Sequence, residues 1–297
     1  MRYAVPELAT EPRIVTPDLI RPGEGRTLLV VTAHADDAAI FIGGAIALWA
    51  AAGWRIVLLR VTDDRWDSVG LDEAETIARN AAELREAAAI LGVAEVVDLM
   101  WQTDVLGDVS RVELRERIID AIRRFRPFGI VGFDPDSMFY EDNLDHRVTA
   151  QATDEAYWTA QFDKHHPEHF GAGLGLHAAV ERWYFGRRIL SVTHVFDTSS
   201  VVERQLEAIL RHRTPLANIV RQLSLQAKTA GVESELVARA EAGDYEGFVN
   251  EAFGAGVAAR GAPFGLAAAE TLRLNPSPLL HGTGAGSISP EISNGNR

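Results

Sequence analysis

The chain has 297 residues, 47% of them hydrophobic and 24% charged, with a formal net charge of −13 and no cysteine. Disulfides and thiolate metal sites are therefore excluded, and any bound metal must use His, Asp or Glu. The acidic balance argues against nucleic acid or an anionic membrane surface as the main partner, because phosphate binding is driven by Lys and Arg.

Residues 1–26 hold several prolines and no periodicity, and are expected as an extended N-terminal arm. The N-terminus lacks the basic-then-apolar pattern of a secretory signal, which points to a cytoplasmic protein. No apolar run reaches the roughly 18 residues needed for a membrane span.

Leu28 to Val31 is a short aliphatic run, the pattern of a strand buried on both faces. From Ala38 the chain is Ala-rich and apolar around most of its circumference, as a helix packed on that sheet would be. Between the two stands His34-Ala35-Asp36-Asp37, at the C-terminal edge of a parallel strand, where open α/β sheets bind ligands.

A second buried strand is expected over 55–62, followed by a polar loop, 63–71. In that loop Asp63, Asp64, Arg65 and Trp66 are candidates for a substrate rim; plain surface-turn roles fit them equally. A helix is expected from 72 to 91, a third strand over 95–100, and a helix opened by a Ser110/Glu113 capping box and ended by Pro127. A fourth strand follows over 128–133. Strands alternating with helices of this length predict a mostly parallel sheet with helices on both faces.

The loop after the fourth strand, 134–146, ends in His146 at the start of another helix, running to about Thr159. The pattern then gives a loop over 161–175, a strand over 189–196, a capping box at Ser200/Glu203, a helix from 201 broken near Pro215, and helical sequence over 216–253. Residues 275–297, rich in Pro, Ser, Gly and Asn, are expected as a disordered tail, leaving 1–274 as a single α/β domain.

Two imidazoles and one carboxylate hold a divalent metal while leaving an open coordination position, the arrangement hydrolytic zinc sites need. His34, Asp37 and His146 fit that description, and Asp36 would be free to act as a general base. The same two carboxylates would also serve as plain helix caps, and spacing alone does not separate the readings.

Five segments in this order, AHADD with GGA after it, NAAELREAAAILGV, RRFRPFGIVGFDP, NLDHRVTAQATDEA and ERQLEAILRHRTPLA, resemble the LmbE/PIG-L family of zinc-dependent N-deacetylases over residues 28 to about 216. The resemblance implies a Rossmann-like three-layer α/β sandwich and removal of an N-acetyl or other N-acyl group from an amino sugar or glycosylated small molecule. It implies Zn2+, or another divalent metal, on His34, Asp37 and His146, with Asp36 as general base.

Three positions depart from the family pattern. Ala35 stands for a proline and Ala38 for a glutamate, while Asn143 replaces the first His of the His-Pro-Asp-His motif. Asn143 can donate a hydrogen bond to a developing oxyanion but carries no titrating proton. Asp104 and Tyr140 are expected to contact a sugar hydroxyl or the carbonyl oxygen, Asp145, grouped with the substrate-binding residues, to orient a neighbouring group or pack at the helix start, and His212 to line the pocket or sit as a locally satisfied helix residue. Loops 63–71, 134–143 and 161–186 are expected to set the substrate, with a glycosylated natural product, a thiol-cofactor precursor and a chito-oligosaccharide as candidates.

Other readings are weaker. His165-His-Pro-Glu-His169 matches the H-x-x-E-H metallopeptidase pattern, but Pro167 and the glycines that follow oppose the helix it requires, so a polar loop near the pocket mouth is expected. The turn after Val31 has no G-x-G-x-x-G, and its carboxylates would repel a pyrophosphate, which argues against NAD or ATP. A catalytically degenerate member that binds metal or sugar is the alternative to an enzyme. The sequence leaves homo-oligomerisation open.

Overall fold

A computed structural model describes residues 11–277. The strands are β1 (Arg13–Val15), β2 (Thr27–Thr32), β3 (Arg55–Thr62), β4 (Glu95–Trp101), β5 (Gly129–Phe133), β6 (Glu181–Phe185), β7 (His194–Asp197) and β8 (Ala269–Pro276). The helices are α1 (Asp37–Ala51), α2 (Glu73–Leu91), α3 (Arg111–Phe125), α4 (Leu144–Thr159), α5 (Glu168–Gly171), α6 (Val202–Arg211), α7 (Arg213–Ala230), α8 (Glu235–Glu241), α9 (Tyr245–Phe248) and α10 (Ala255–Gly261). No helix among the described residues is long and apolar enough to cross a membrane.

The strands form one sheet in the order β1-β7-β8-β6-β5-β2-β3-β4, parallel except where β8 runs antiparallel to β6 and β7. In β2, Val30 aligns with Leu58 of β3 and Val131 of β5. Because side chains alternate across a strand, Leu28 and Val30 enter the core shared with α1, α2 and α6, and Leu29 and Val31 the one shared with α3 and α4. Continuous apolar sequence thus makes a strand with no wet face. From β2 the chain crosses to β3 on one side and later returns to β5 on the other, so the sheet reverses direction at the C-terminal ends of β2 and β5, the place where such sheets bind ligands.

Some expectations change in detail. The N-terminal arm contributes an edge strand, β1, and β8 extends through Pro276, past the expected start of the tail; residues 1–10 and 278–297 lie outside the described residues. Neither capping box closes, since Ser110 makes no side-chain cap and α6 begins after Val201. The helix expected from 201 ends as α6 at Arg211, and a new helix starts at Arg213 with Pro215 in its first turn, a position where its missing N–H is not needed. The helical sequence expected over 216–253 is divided among α7, α8, α9 and a π-helical turn over Val249–Gly254.

Helix α1 is bent at Ile42 (φ −144°) for an identifiable reason. Both carboxylate oxygens of buried Glu270 on β8 accept N–H bonds from Gly44 (3.0 Å) and Ala45 (2.7 Å), and Gln205 donates to the Ala39 carbonyl (3.0 Å). The close approach needs glycine, because a Cβ on Gly44 would stand 2.6 Å from Thr198. Glu270→Gln would put an amide donor against one of those N–H groups, and we expect a loss of about 1–3 kcal/mol in urea unfolding.

Candidate active site

The turn between β2 and α1 is shaped by Asp37, whose Oδ2 accepts the backbone N–H groups of Ala33 (3.0 Å) and His34 (2.8 Å). Asp36, at the N-cap of α1, makes no side-chain cap, so neither carboxylate serves simply to start the helix. Asp36 is half-buried and opens into a cleft of about 370 Å³, within the roughly 300–1,000 Å³ usual for small-molecule sites.

His34, Asp37 and His146 converge at the base of that cleft, with one ligand-type atom from each within 4.8 Å of the others. His34 Nδ1 and His146 Nε2 face each other at 3.0 Å, and Asp37 Oδ1 lies 3.1 Å from His146 Nε2. The outer ring nitrogens face carboxylates: His34 Nε2 stands 3.4 Å from Asp145 Oδ2, and His146 Nδ1 stands 3.2 Å from Glu141 Oε2. Protons on the outer nitrogens leave two inward lone pairs confronting each other beside a carboxylate. Such an arrangement could hold a cation between them, and the N/N/O donor set at these separations fits a divalent ion.

The surrounding carboxylates favour positive charge on the two imidazoles. Burial disfavours charge on His34, but Asp145, Asp37, Asp64 and Asp36 outweigh it and lift its pKa to about 10. His146 is likewise raised, burial being overcome by Asp37 and Glu141. For Asp37, burial is outweighed by His146 and His34, and its pKa falls to about 2. Asp36 is raised well above the ordinary carboxylate range, by burial first and then by Asp67 and Asp37. The pocket is built to hold positive charge against carboxylates.

Asn143 is the N-cap of α4, and its Oδ1 accepts from the N–H groups of Asp145 (2.8 Å) and His146 (3.4 Å). Those donors fix which atom is oxygen, so the Nδ2 amide is left as a donor on a residue that lines the cleft. Asp104, exposed at φ +62°, also lines it.

Other expected site residues fall elsewhere. Asp145 is fully buried; it supports His34 and accepts from the N–H groups of Asp104 (2.6 Å) and Leu106 (3.3 Å), so it is placed behind the site instead of against substrate. His212 is buried and does not line the cleft, and the Tyr140 side chain lies outside the described residues. Of the expected rim in loop 63–71, Asp63 and Asp64 turn inward: Asp64 pairs with fully buried Arg60 (2.9 Å) and accepts from Ala35 N–H (3.1 Å), and Asp63 holds Arg65 and Thr103. Trp66 does line the cleft, as does Asp67.

The His165–His169 segment is not at the pocket mouth. It follows the C-terminal end of α4, which puts it roughly 20 Å along the helix from His146. There His169 Nε2 contacts Glu116 (2.8 Å), and Arg123 grips the carbonyls of Ala160, Phe162, His165 and His166. The segment is a buckle on α3.

Sequence reasoning passed over Glu141 and the far wall of the cleft. Glu141 sits in a loop with Asp134, Asp136 and Asp142, and nothing in spacing singles it out. Asn218, Ile219 and Gln222 of α7, Phe253 of the π-helical turn and Arg187 line the cleft from remote parts of the chain. A π turn with a cleft-lining aromatic was the one available signal, and it is not visible before folding.

Residues 29–157 match the GlcNAc-PI de-N-acetylase family, PIG-L. Over that segment, which holds the cleft's ligand-type residues, the chain is similar to this family. De-N-acetylation is amide hydrolysis, so this is a family of amide hydrolases. Diacetylchitobiose deacetylase of Thermococcus kodakarensis is 29% identical over 205 residues, 67% of this chain and 73% of the relative. A 1D-myo-inositol 2-acetamido-2-deoxy-alpha-D-glucopyranoside deacetylase of Mycobacteroides abscessus is 28% identical over 159 residues, 45% of this chain and 57% of the relative's length.

Among solved structures, N,N'-diacetylchitobiose deacetylase from Pyrococcus horikoshii superposes with a TM-score of 0.68 at 20% identity, covering 86% of each chain. The 4-carboxy-2-hydroxymuconate hydratase GalB from Pseudomonas putida has a TM-score of 0.59 at 19% identity, covering 84% of this chain and 95% of that one. The fold is therefore shared by different reactions, and chemistry must be argued from the site. The PIG-L match contains His34, Asp36, Asp37, Glu141, Asn143, Asp145 and His146, whereas Arg187, Asn218, Gln222 and Phe253 lie beyond it.

Two predictions arise here. Glu141 also accepts from Asn143 N–H (3.0 Å) and Arg187 Nε (3.1 Å), so Glu141→Gln should loosen His146 and weaken metal binding by about 10–100-fold in a chelator competition. His212 is pushed down by burial to about 4 from its ordinary 6.5. The unfolded chain then takes up a proton that the folded chain refuses, and stability falls as pH drops from 6.5 to 4, by ~3 kcal/mol in all. Unfolding midpoints for His212→Gln should lose that part of the acid sensitivity.

Proposed function

We propose that the protein is a zinc-dependent deacylase that removes an N-acetyl group from an amino sugar. The observation that carries this reading is the convergence of His34, Asp37 and His146 at the floor of a cleft into which Asp36 also opens. A mixed His/His/Asp set suits zinc, and a divalent ion there supplies Lewis-acid activation of water and of an acyl carbonyl.

The protein's own groups carry the rest. Asp36, with its raised pKa, accepts a proton from the attacking water. As water oxygen bonds to the carbonyl carbon, the Nδ2 amide of Asn143 donates to the oxygen that gains charge. Asp36 then returns the proton to the departing nitrogen. The C–N bond breaks, giving acetate and a free amine. Asp145 and Glu141 keep the two imidazoles turned inward throughout.

The test is acetate release from N-acetylglucosamine and its β-1,4 oligosaccharides by the zinc-loaded protein. Acetate with stoichiometric amine supports the reading. Bound metal without acetate from any acetylated amino sugar would overturn it, and would favour a binding protein in which the change to Asn143 has removed turnover.

A further inference from the structure

The strand order gives the cleft two flanks. Its lining follows the C-terminal ends of strands that lie side by side as β6-β5-β2-β3-β4, with His146 after β5 and His34 and Asp37 after β2 at the centre. Asp67 and Asp104 follow β3 and β4 on one side, and Arg187 follows β6 on the other. At roughly 4.8 Å per strand, β6 lies about 19 Å from β4, well beyond the Debye length of about 8 Å at physiological salt. The exposed Asp104 is therefore largely screened from a ligand on the β6 side, and Asp67 is occupied by Asn218 Nδ2 (2.6 Å).

Arg187 is the one arginine or lysine in the lining, and its side chain is 54% exposed. Its Nε donates to buried Glu141 (3.1 Å), and its guanidinium lies over the Phe41 ring (5.7 Å). Those two contacts fix the guanidinium plane. Among the described residues neither Nη nitrogen has a partner. A guanidinium anchored through Nε keeps its Nη donors for two oxygens in one plane, the geometry of a carboxylate or a phosphate. Nor is its charge spent on Glu141 alone, because that carboxylate also faces His146 Nδ1 (3.2 Å) and accepts from Asn143 N–H (3.0 Å).

We propose that Arg187 is a specificity-determining residue whose Nη pair binds an oxyanion, carboxylate or phosphate, carried by the N-acylated amino sugar on the flank opposite Asp67 and Asp104. This deepens the deacylase reading and rests on it for turnover alone; the oxyanion subsite stands on the anchored guanidinium and the strand order. Glu141 touches both Arg187 and His146, so the fork stands one carboxylate away from a metal ligand, and the oxyanion belongs to the ring that bears the acyl group or to its neighbour. Arg187 lies beyond the segment that matches PIG-L, so the family pattern does not prescribe it.

The experiment measures acetate release by the zinc-loaded full-length protein from N-acetylglucosamine, N-acetylmuramic acid and N-acetylglucosamine 6-phosphate, in wild type and Arg187→Gln. In parallel, glucosamine, muramic acid and glucosamine 6-phosphate are titrated against both proteins by calorimetry. We expect kcat/KM for at least one acidic compound about tenfold above N-acetylglucosamine, mainly through KM, with a margin that narrows as salt is added. Which acidic compound gains tells carboxylate from phosphate. In Arg187→Gln the ratio of acidic to neutral kcat/KM should fall to about one. Loss of a merely structural arginine would lower both rates together and leave the ratio standing; that result would overturn the assignment and put the oxyanion on the metal. Acidic compounds used no better than N-acetylglucosamine would overturn it as well. If no compound yields acetate, the deacylase reading fails and calorimetry decides the subsite alone: tighter binding of an acidic sugar that Arg187→Gln abolishes supports it, and equal binding of all three sugars overturns it.

Discussion

Asp36→Asn should reduce kcat by about 10²–10⁴-fold while leaving bound metal unchanged. Asn keeps the size of the side chain and, since Asp36 makes no cap to α1, the substitution leaves the turn without a lost backbone partner. What it removes is a group able to accept the proton of the attacking water. Because the defect lies in proton transfer, KM should change little and metal content not at all. A variant with full activity would show that the proton goes elsewhere, and one without metal would show that Asp36 belongs to the coordination set.

Asp37→Asn should empty the site. The amide oxygen can still accept from the Ala33 and His34 N–H groups, so the turn survives, but the atom facing His146 Nε2 becomes an NH₂ donor. A donor there bonds the imidazole lone pair and cannot ligate. We expect less than about a tenth of an equivalent of metal by elemental analysis and turnover at background. Asp37→Ala would strip both N–H groups of their buried acceptor, each at a cost of about 1–3 kcal/mol, and would confuse loss of metal with loss of fold. Retention of a full equivalent in Asp37→Asn would remove this carboxylate from the ligand set.

Much of this architecture could be read from the chain because its central strands are buried on both faces. TLLVVT and RIVLLRVT read as parallel strands, and with the strand before NLDH they put that segment and the AHADD turn at one sheet edge. Strands β6 and β8 are less legible for a physical reason. ERWYF carries Glu181 and Arg182, and AETLRLNP alternates polar and apolar residues, so neither shows the continuous apolar run of a doubly covered strand. Both lie inside the sheet, where β8 runs antiparallel between β6 and β7.

The same distinction divides the site. Its chemistry sits in two short segments after β2 and β5, where type and spacing of residues suffice. Its walls come from α7, the π-helical turn and Arg187, brought in by folding over long sequence separations, and no local pattern marks Asn218, Gln222 or Phe253 as neighbours of His34. Asp145 shows the limit from the other side: its identity was readable, but only burial reveals that it faces His34 from behind.

The measurement that bears most directly on the central claim is anomalous diffraction at the zinc edge from crystals of the metal-loaded protein. A single strong peak about 2.0–2.2 Å from His34 Nδ1, His146 Nε2 and a carboxylate oxygen of Asp37 is the expected result. A peak elsewhere, such as beside Glu116, His166 and His169, with none between the two inward imidazole nitrogens, would contradict it.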